Sequence, residues 1–200
     1  RGSGKVVLVS SAPLKVEKPL IVTATNAVIQ AAQGVSPVIQ ATVQGDTPWL
    51  ATRALGRLSL EGLRIEATYT GSSSRPRPLL EAAGLVSLDR CAFTLSEAVP
   101  RSRLLSVGSA GRVQLDDCEI QGFDLPLGIE AQSGTQLSLK NVKLRAAGPG
   151  RQAIEIAPRG TAARRIRPLV RLESCTVEAG VLLWASGFTA SEPLAVELKS

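Results

Sequence analysis

Histidine and methionine are both absent from the 200 residues of the chain. Without histidine, zinc sites and Ser/His or Cys/His nucleophile pairs lose their commonest ligand or base. Aromatic side chains are scarce: Trp49, Trp184, Tyr69, Phe93, Phe123 and Phe188 are the whole set. The core must therefore be aliphatic, and a groove that stacks sugars on aromatic faces is disfavoured. No run of apolar residues is long enough to span a membrane, and no secretory signal is evident. Membrane insertion by this segment is not expected. The chain does not begin with methionine and looks strand-like at both ends, which suggests one domain over residues 1–200 cut from a longer chain.

What is present is apolar and basic. Hydrophobic residues make up 44% of the chain, enough for a sizeable core and too many for a disordered one. The net charge is +6, and 17 of the 23 basic residues are arginine. That balance favours anionic partners, although arginine-rich composition alone can produce it.

An eight-residue pattern recurs six times. Val22–Ile29 reads VTATNAVI, Leu58–Ile65 LSLEGLRI and Val86–Phe93 VSLDRCAF. Val113–Ile120 reads VQLDDCEI, Leu137–Leu144 LSLKNVKL and Val170–Val177 VRLESCTV. The pattern is apolar-x-apolar-x-x-apolar-x-apolar. Each half alternates with period two, as a half-buried strand does. The extra residue between the halves implies a bend, which keeps both apolar pairs facing inward. Its second position holds Asn26, Gly62, Arg90, Asp117, Asn141 or Ser174. Asn, Gly and Asp tolerate positive φ; Arg90 and Ser174 suit it less. Cys91, Cys118 and Cys175 share one slot with Ala27, Leu63 and Val142, and are expected to be buried, stacked and reduced.

A third apolar strand follows each copy: PVIQA (37–41), PLLEA (78–82), RLLSV (103–107), PLGIEA (126–131), QAIEI (152–156) and GVLLW (180–184). The copies recur every 24 to 36 residues. Three short strands per repeat with uneven loops predict an all-β fold, a right-handed parallel β-helix of about six coils. KVVLV (5–9) and LAVEL (194–198) look like parts of further coils. The rival is a leucine-rich repeat, whose core LGRLSLEGLRI (55–65) matches fully. Its leading Leu is Ala83, Ala110, Gly134 or Arg167 elsewhere, and the repeat length varies too much for a horseshoe.

The pattern resembles the pectin-lyase-like β-helix superfamily from about residue 5 to 198. That resemblance implies either a polysaccharide-active enzyme or a non-catalytic module. LDDCEI resembles the G-D-D-C segment of polygalacturonases, which would make Asp116 and Asp117 catalytic carboxylates. Here Leu115 replaces the Gly, the N-T-D and G-H-G segments are missing, and RIR (165–167) only approximates R-I-K. The bend accounts for both aspartates without catalysis. Degenerate β-helix regions attached to bacterial serine/threonine kinases are similar in composition, although no kinase motif is present.

Outward positions of the third strands predict a row of Gln40, Glu81, Ser106, Glu130, Glu155 and Leu183, with Glu130 and Glu155 on adjacent coils. Beside it run arginines from the loops, among them Arg75, Arg77, Arg101, Arg103, Arg145 and Arg151. Arg159, Arg164, Arg165 and Arg167 gather at another corner. The expectation is a non-catalytic module of a larger protein, extracytoplasmic or on the cell surface. It would act as a scaffold for a protein partner or an acidic polysaccharide, through Arg101, Arg103, Arg151, Glu130 and Glu155. The alternative is a polysaccharide lyase or glycoside hydrolase using Glu130, Glu155, Arg151 and Arg103. No catalytic residue, metal site or cofactor is assigned, and nucleic acid is not expected, because no recognition helix or aromatic platform accompanies the charge.

Overall fold

The computed structural model describes residues 2–52, 56–148, 150–158, 168–186 and 194–199. The described residues form strands and turns, with no helix. An N-terminal coil consists of β1 (Ser3–Leu8), β2 (Leu14–Val16) and β3 (Leu20–Val22). The next consists of β4 (Asn26–Ala31), β5 (Val38–Gln44) and β6 (Leu50–Thr52). Then β7 (Gly56–Glu61) and β8 (Arg64–Thr70) lead into the long strand β9 (Arg77–Asp89). β10 (Ala92–Val99) leads into β11 (Ser102–Asp116), and β12 (Glu119–Phe123) into β13 (Leu127–Lys140). β14 (Lys143–Ala146) and β15 (Gln152–Pro158) follow. The chain closes with β16 (Leu169–Glu173), β17 (Thr176–Glu178), β18 (Val181–Ala185) and β19 (Ala195–Lys199).

The strands build a parallel β-solenoid of about six turns from β4 to β19, with β1–β3 stacked ahead of them. β5, β8, β10, β12, β14 and β17 form one sheet with β2, and the other strands form a second. Among the described residues no helix follows the template and a third parallel strand stands there instead, which removes the leucine-rich-repeat alternative. In the middle coils the third strand runs straight into the next template, so β9, β11 and β13 reach 13 to 15 residues. Three separate short strands per coil hold only at the two ends.

Period-two alternation fills the interior with three ladders. Leu60, Leu88, Leu115, Leu139 and Leu172 stack in register along one wall. Ile39, Ile65, Phe93, Ile120, Leu144 and Val177 line the second. Leu50, Leu80, Leu105, Leu127, Ile154 and Leu183 line the third. Nearly all are buried, and their removal from water drives the fold.

The bends stack as predicted in five of the six copies. Gly62, Arg90, Asp117, Asn141 and Ser174 all have positive φ, between 50° and 67°. Arg90 and Ser174 therefore take the left-handed conformation despite their side chains. Each bend N–H donates to the carbonyl on the next coil, as Arg90 does to Asp116 and Ser174 to Lys199. That stacking offsets a local cost of about 1–2 kcal/mol for a left-handed L-residue.

The first copy departs from the template. Ala27 and Ile29 lie opposite Leu58 and Leu60, so they are the first half of the pattern and Asn26 is not its bend. A longer turn at residues 32–37, with Gly34 at φ 74°, does the work of the bend. PVIQA thus belongs to the second ladder, with Ile39 opposite Ile65, and β6 supplies the third strand. Val22 lies in β3, which pairs β6. KVVLV and LAVEL do occupy further coils: Val6 stacks on Ile29 and Leu198 on Leu172.

The cysteines stack with Leu63 and Val142, without Ala27. N–H groups of residues 92, 119, 143 and 176 bond in turn to carbonyls of Leu63, Cys91, Cys118 and Val142. All three thiols are free. Burial pushes Cys91 up to about 11 and Cys118 up to about 12. Unfolded thiols ionise near 8.5. Stability from keeping them neutral is thus full below about pH 8.5 and is lost as pH climbs through 11. Urea melts at about pH 8 and pH 10.5 should show this loss, and a Cys91→Ala/Cys118→Ala variant should lose less. Equal losses would contradict it.

Candidate functional site

Third-strand outward positions create a groove of about 370 Å³ between β9 and β15. Glu81, Arg103, Ser106, Glu130 and Glu155 line it, so Arg103, Glu130 and Glu155 come together as the sequence suggested. Their arrangement differs from the expected row. Gly128, not Glu130, lies opposite Glu155, and Glu130 lies opposite Ala157. The two carboxylates share a face but are offset by two residues. Gln40 lies on the other sheet, and Leu183 points inward beside Ile154, leaving Trp184 opposite Glu155.

Glycines shape this groove. The Arg103 guanidinium crosses over Gly128, where an added Cβ would stand 2.6 Å from Nη1. It reaches across β13 and donates to Glu155 Oε2 at 2.7 Å. A side chain at residue 128 would block that path. The Glu130 carboxylate lies over Gly108 in the same way. Both partners of the Arg103–Glu155 pair are partly exposed, so the pair contributes at most about 1 kcal/mol. With three carboxylates and one paired guanidinium, the groove is electronegative.

Arg101 and Arg151 occupy the neighbouring corner, where the chain passes from the sheet of β10 and β14 into the third strands β11 and β15. Arg101 sits in a tight turn at φ 61°. Its N–H donates to Asp124 Oδ2 at 2.8 Å, and Arg151 Nε pairs with Asp124 Oδ1 at 2.9 Å. Asp124 is held in turn by Ser102, whose hydroxyl accepts from its N–H at 3.0 Å. One coil earlier, the Arg77 N–H donates to the Arg101 carbonyl. Arg75, Arg101 and Arg151 are exposed at this corner.

Arg77 is buried and structural. Nε donates to the Gly45 carbonyl at 2.8 Å and Nη2 to that of Thr70 at 2.6 Å. Its guanidinium lies 5.0 Å from the centre of the Tyr69 ring. The Tyr69 hydroxyl is shared between the carbonyls of Arg77 and Arg103, 3.1 Å from each. Burial raises the Tyr69 pKa and keeps that donor proton in place. Arg77 carries no carboxylate partner among the described residues, so its positive charge adds to the corner's field. Arg145 pairs with Glu178 at 2.6 Å across the outer face of β14 and β17. Arg159, Arg164, Arg165 and Arg167 lie outside the described residues.

Asp116 and Asp117 each accept a hydrogen bond from a different neighbouring side chain. Asp116 Oδ2 accepts from Gln114 at 2.6 Å, and Asp117 Oδ1 accepts from Asn141 at 2.9 Å. Among the described residues no cluster of His, Cys, Asp and Glu is placed to hold a metal ion. Sequence reasoning missed the roles of Asp124, Gly128 and Tyr69. Their signal is positional: each lies at a corner or an outward slot, and its role depends on which residue stacks above it. Neither protein-family models nor curated proteins match this chain.

Proposed function

We propose that the chain is a non-catalytic β-solenoid module that binds an acidic polymer, such as a carboxylated or sulfated polysaccharide, along its arginine corner. In this reading it is a member of the pectin-lyase-like superfamily without the catalytic set, serving as a scaffold within a larger, surface-exposed protein. The observation that carries it is the corner itself. Arg75, Arg101 and Arg151 are exposed on stacked coils, with Asp124 bonded to the Arg101 N–H and the Arg151 guanidinium. Coils repeat about every 4.8 Å, so Arg75 and Arg101 stand on adjacent coils and Arg151 two coils beyond Arg101, with Asp124 on the coil between; the exposed guanidinium forks can each meet an anionic group. Buried Arg77 supplies further positive charge beneath them.

The second reading is an enzyme acting on acidic polysaccharide, favoured by Arg103, Glu130 and Glu155 sharing a groove. Two features weigh against it. Arg103 is engaged by Glu155, and the surplus carboxylates repel an acidic substrate. Affinity electrophoresis in gels containing acidic polysaccharides separates the readings. The native protein should be retarded, and Arg101→Ala/Arg151→Ala should lose most of the retardation. Glu130→Gln and Glu155→Gln should bind as well as wild type. Turnover by wild type that vanishes in the glutamine variants would establish the enzyme instead.

A further inference from the structure

A second, broader concavity lies on the other sheet. A groove of about 580 Å³ runs over the outer face of β2, β5, β8 and β10. Register places Lys15, Gln40 and Glu66 in one outward row and Thr42 with Thr68 in the next. Ser96 extends the surface on β10. The rows are about 6.7 Å apart along the strands and their members about 4.8 Å apart across them.

Charge there is nearly cancelled. Lys15 pairs with Glu17 at 2.7 Å, which leaves Glu66 as the uncompensated group. Gln40, Thr42, Glu66, Thr68 and Ser96 make no side-chain hydrogen bond or ion pair among the described residues. The same face is used differently further along. In the later coils the equivalent ladder carries Gln121, Arg145 and Glu178, and Arg145 and Glu178 saturate one another. Hydroxyls and amides with free hydrogen-bonding capacity are thus gathered over the early coils.

We infer that this face is a second binding site, for an uncharged, polyhydroxylated chain such as a neutral polysaccharide. Both partners offer donors and acceptors at close spacing, so the water that each loses is replaced by direct hydrogen bonds. A polyanion is disfavoured by Glu66 and the lack of unpaired cations. A protein partner is disfavoured by the lack of outward apolar or aromatic anchors in the groove. The site is separate from the arginine corner in position and in ligand charge.

The test is affinity electrophoresis in gels containing hydroxyethylcellulose, galactomannan or soluble starch. Wild type should be retarded by at least one of these polymers. Thr42→Val/Thr68→Val keeps the strands' shape and β-propensity while removing two hydroxyls, and should bind about tenfold more weakly. Gln40→Ala/Ser96→Ala should weaken binding similarly, which covers the case in which the valine variant fails to fold. Arg101→Ala/Arg151→Ala should be retarded as wild type. No retardation of wild type by any of the three polymers overturns the inference. So does equal retardation of wild type and both groove variants.

Discussion

Phe93→Ala is expected to destabilise the solenoid by about 3–5 kcal/mol, read as a lower urea midpoint at unchanged activity of any binding face. Phe93 is fully buried, with Ile65 and Ile120 as its ladder neighbours on either side. Alanine would lose the ring's transfer free energy and leave a cavity. Strands above and below are fixed by the main-chain ladders and can close that cavity only partly. Because each coil contacts chiefly its neighbours, the loss should be local in origin but cooperative in effect. A cost below about 1 kcal/mol would mean that the ring does not fill the interior.

Gly122→Ala should be comparably harmful for a different reason. Gly122 has φ 87° and sits where the β12 register shifts between Gln121 and Phe123. A Cβ there would lie 2.1 Å from the Leu95 carbonyl oxygen, an atom of the neighbouring strand's backbone. The variant combines left-handed strain with a main-chain clash, so a loss of about 3 kcal/mol or more is expected. Gly134→Ala is the control. It also has positive φ, 81°, but open space around the added Cβ. It should cost only the conformational part, about 1–2 kcal/mol. Equal midpoints for the two variants would contradict the close approach at Gly122.

The coils were legible because inward and outward positions alternate with period two, and the apolar ladders follow from that alone. The limits of such reading are also set by that period. A shift of two residues leaves every side chain on the same face, so the sequence could not decide whether Glu130 or Gly128 faces Glu155. Leu127 stacking on Ile154 decides it in the fold. Val22 and Ala24 matched the template by apolar content, whereas the true bend of that coil had been lengthened to residues 32–37. A pattern of fixed length cannot see such an insertion. That misplacement put Gln40 on the wrong sheet and so hid the groove it shares with Glu66.

Side-chain partners were harder still. Arg103 reaches Glu155 over an intervening strand, and Arg151 finds Asp124 across a corner. Neither pairing follows from local spacing, because the contact depends on the register of separate coils. The positive φ of Arg90 shows the same ordering of causes: hydrogen bonding between coils overrides the residue's own preference. The arginine-rich loops were visible from the outset, but their division into a buried strut at Arg77 and an exposed ridge at Arg75, Arg101 and Arg151 belongs to the fold.

The most direct test of the account is the salt dependence of binding to a carboxylated or sulfated polysaccharide, measured for wild type and Arg101→Ala/Arg151→Ala. Exposed guanidinium contacts are screened over about 8 Å at physiological ionic strength. The account predicts tight retention of wild type at low salt, a several-fold loss by about 0.15 M, and weak, nearly salt-independent retention of the variant. Wild type and variant following the same curve, or neither being retained at low salt, would contradict it.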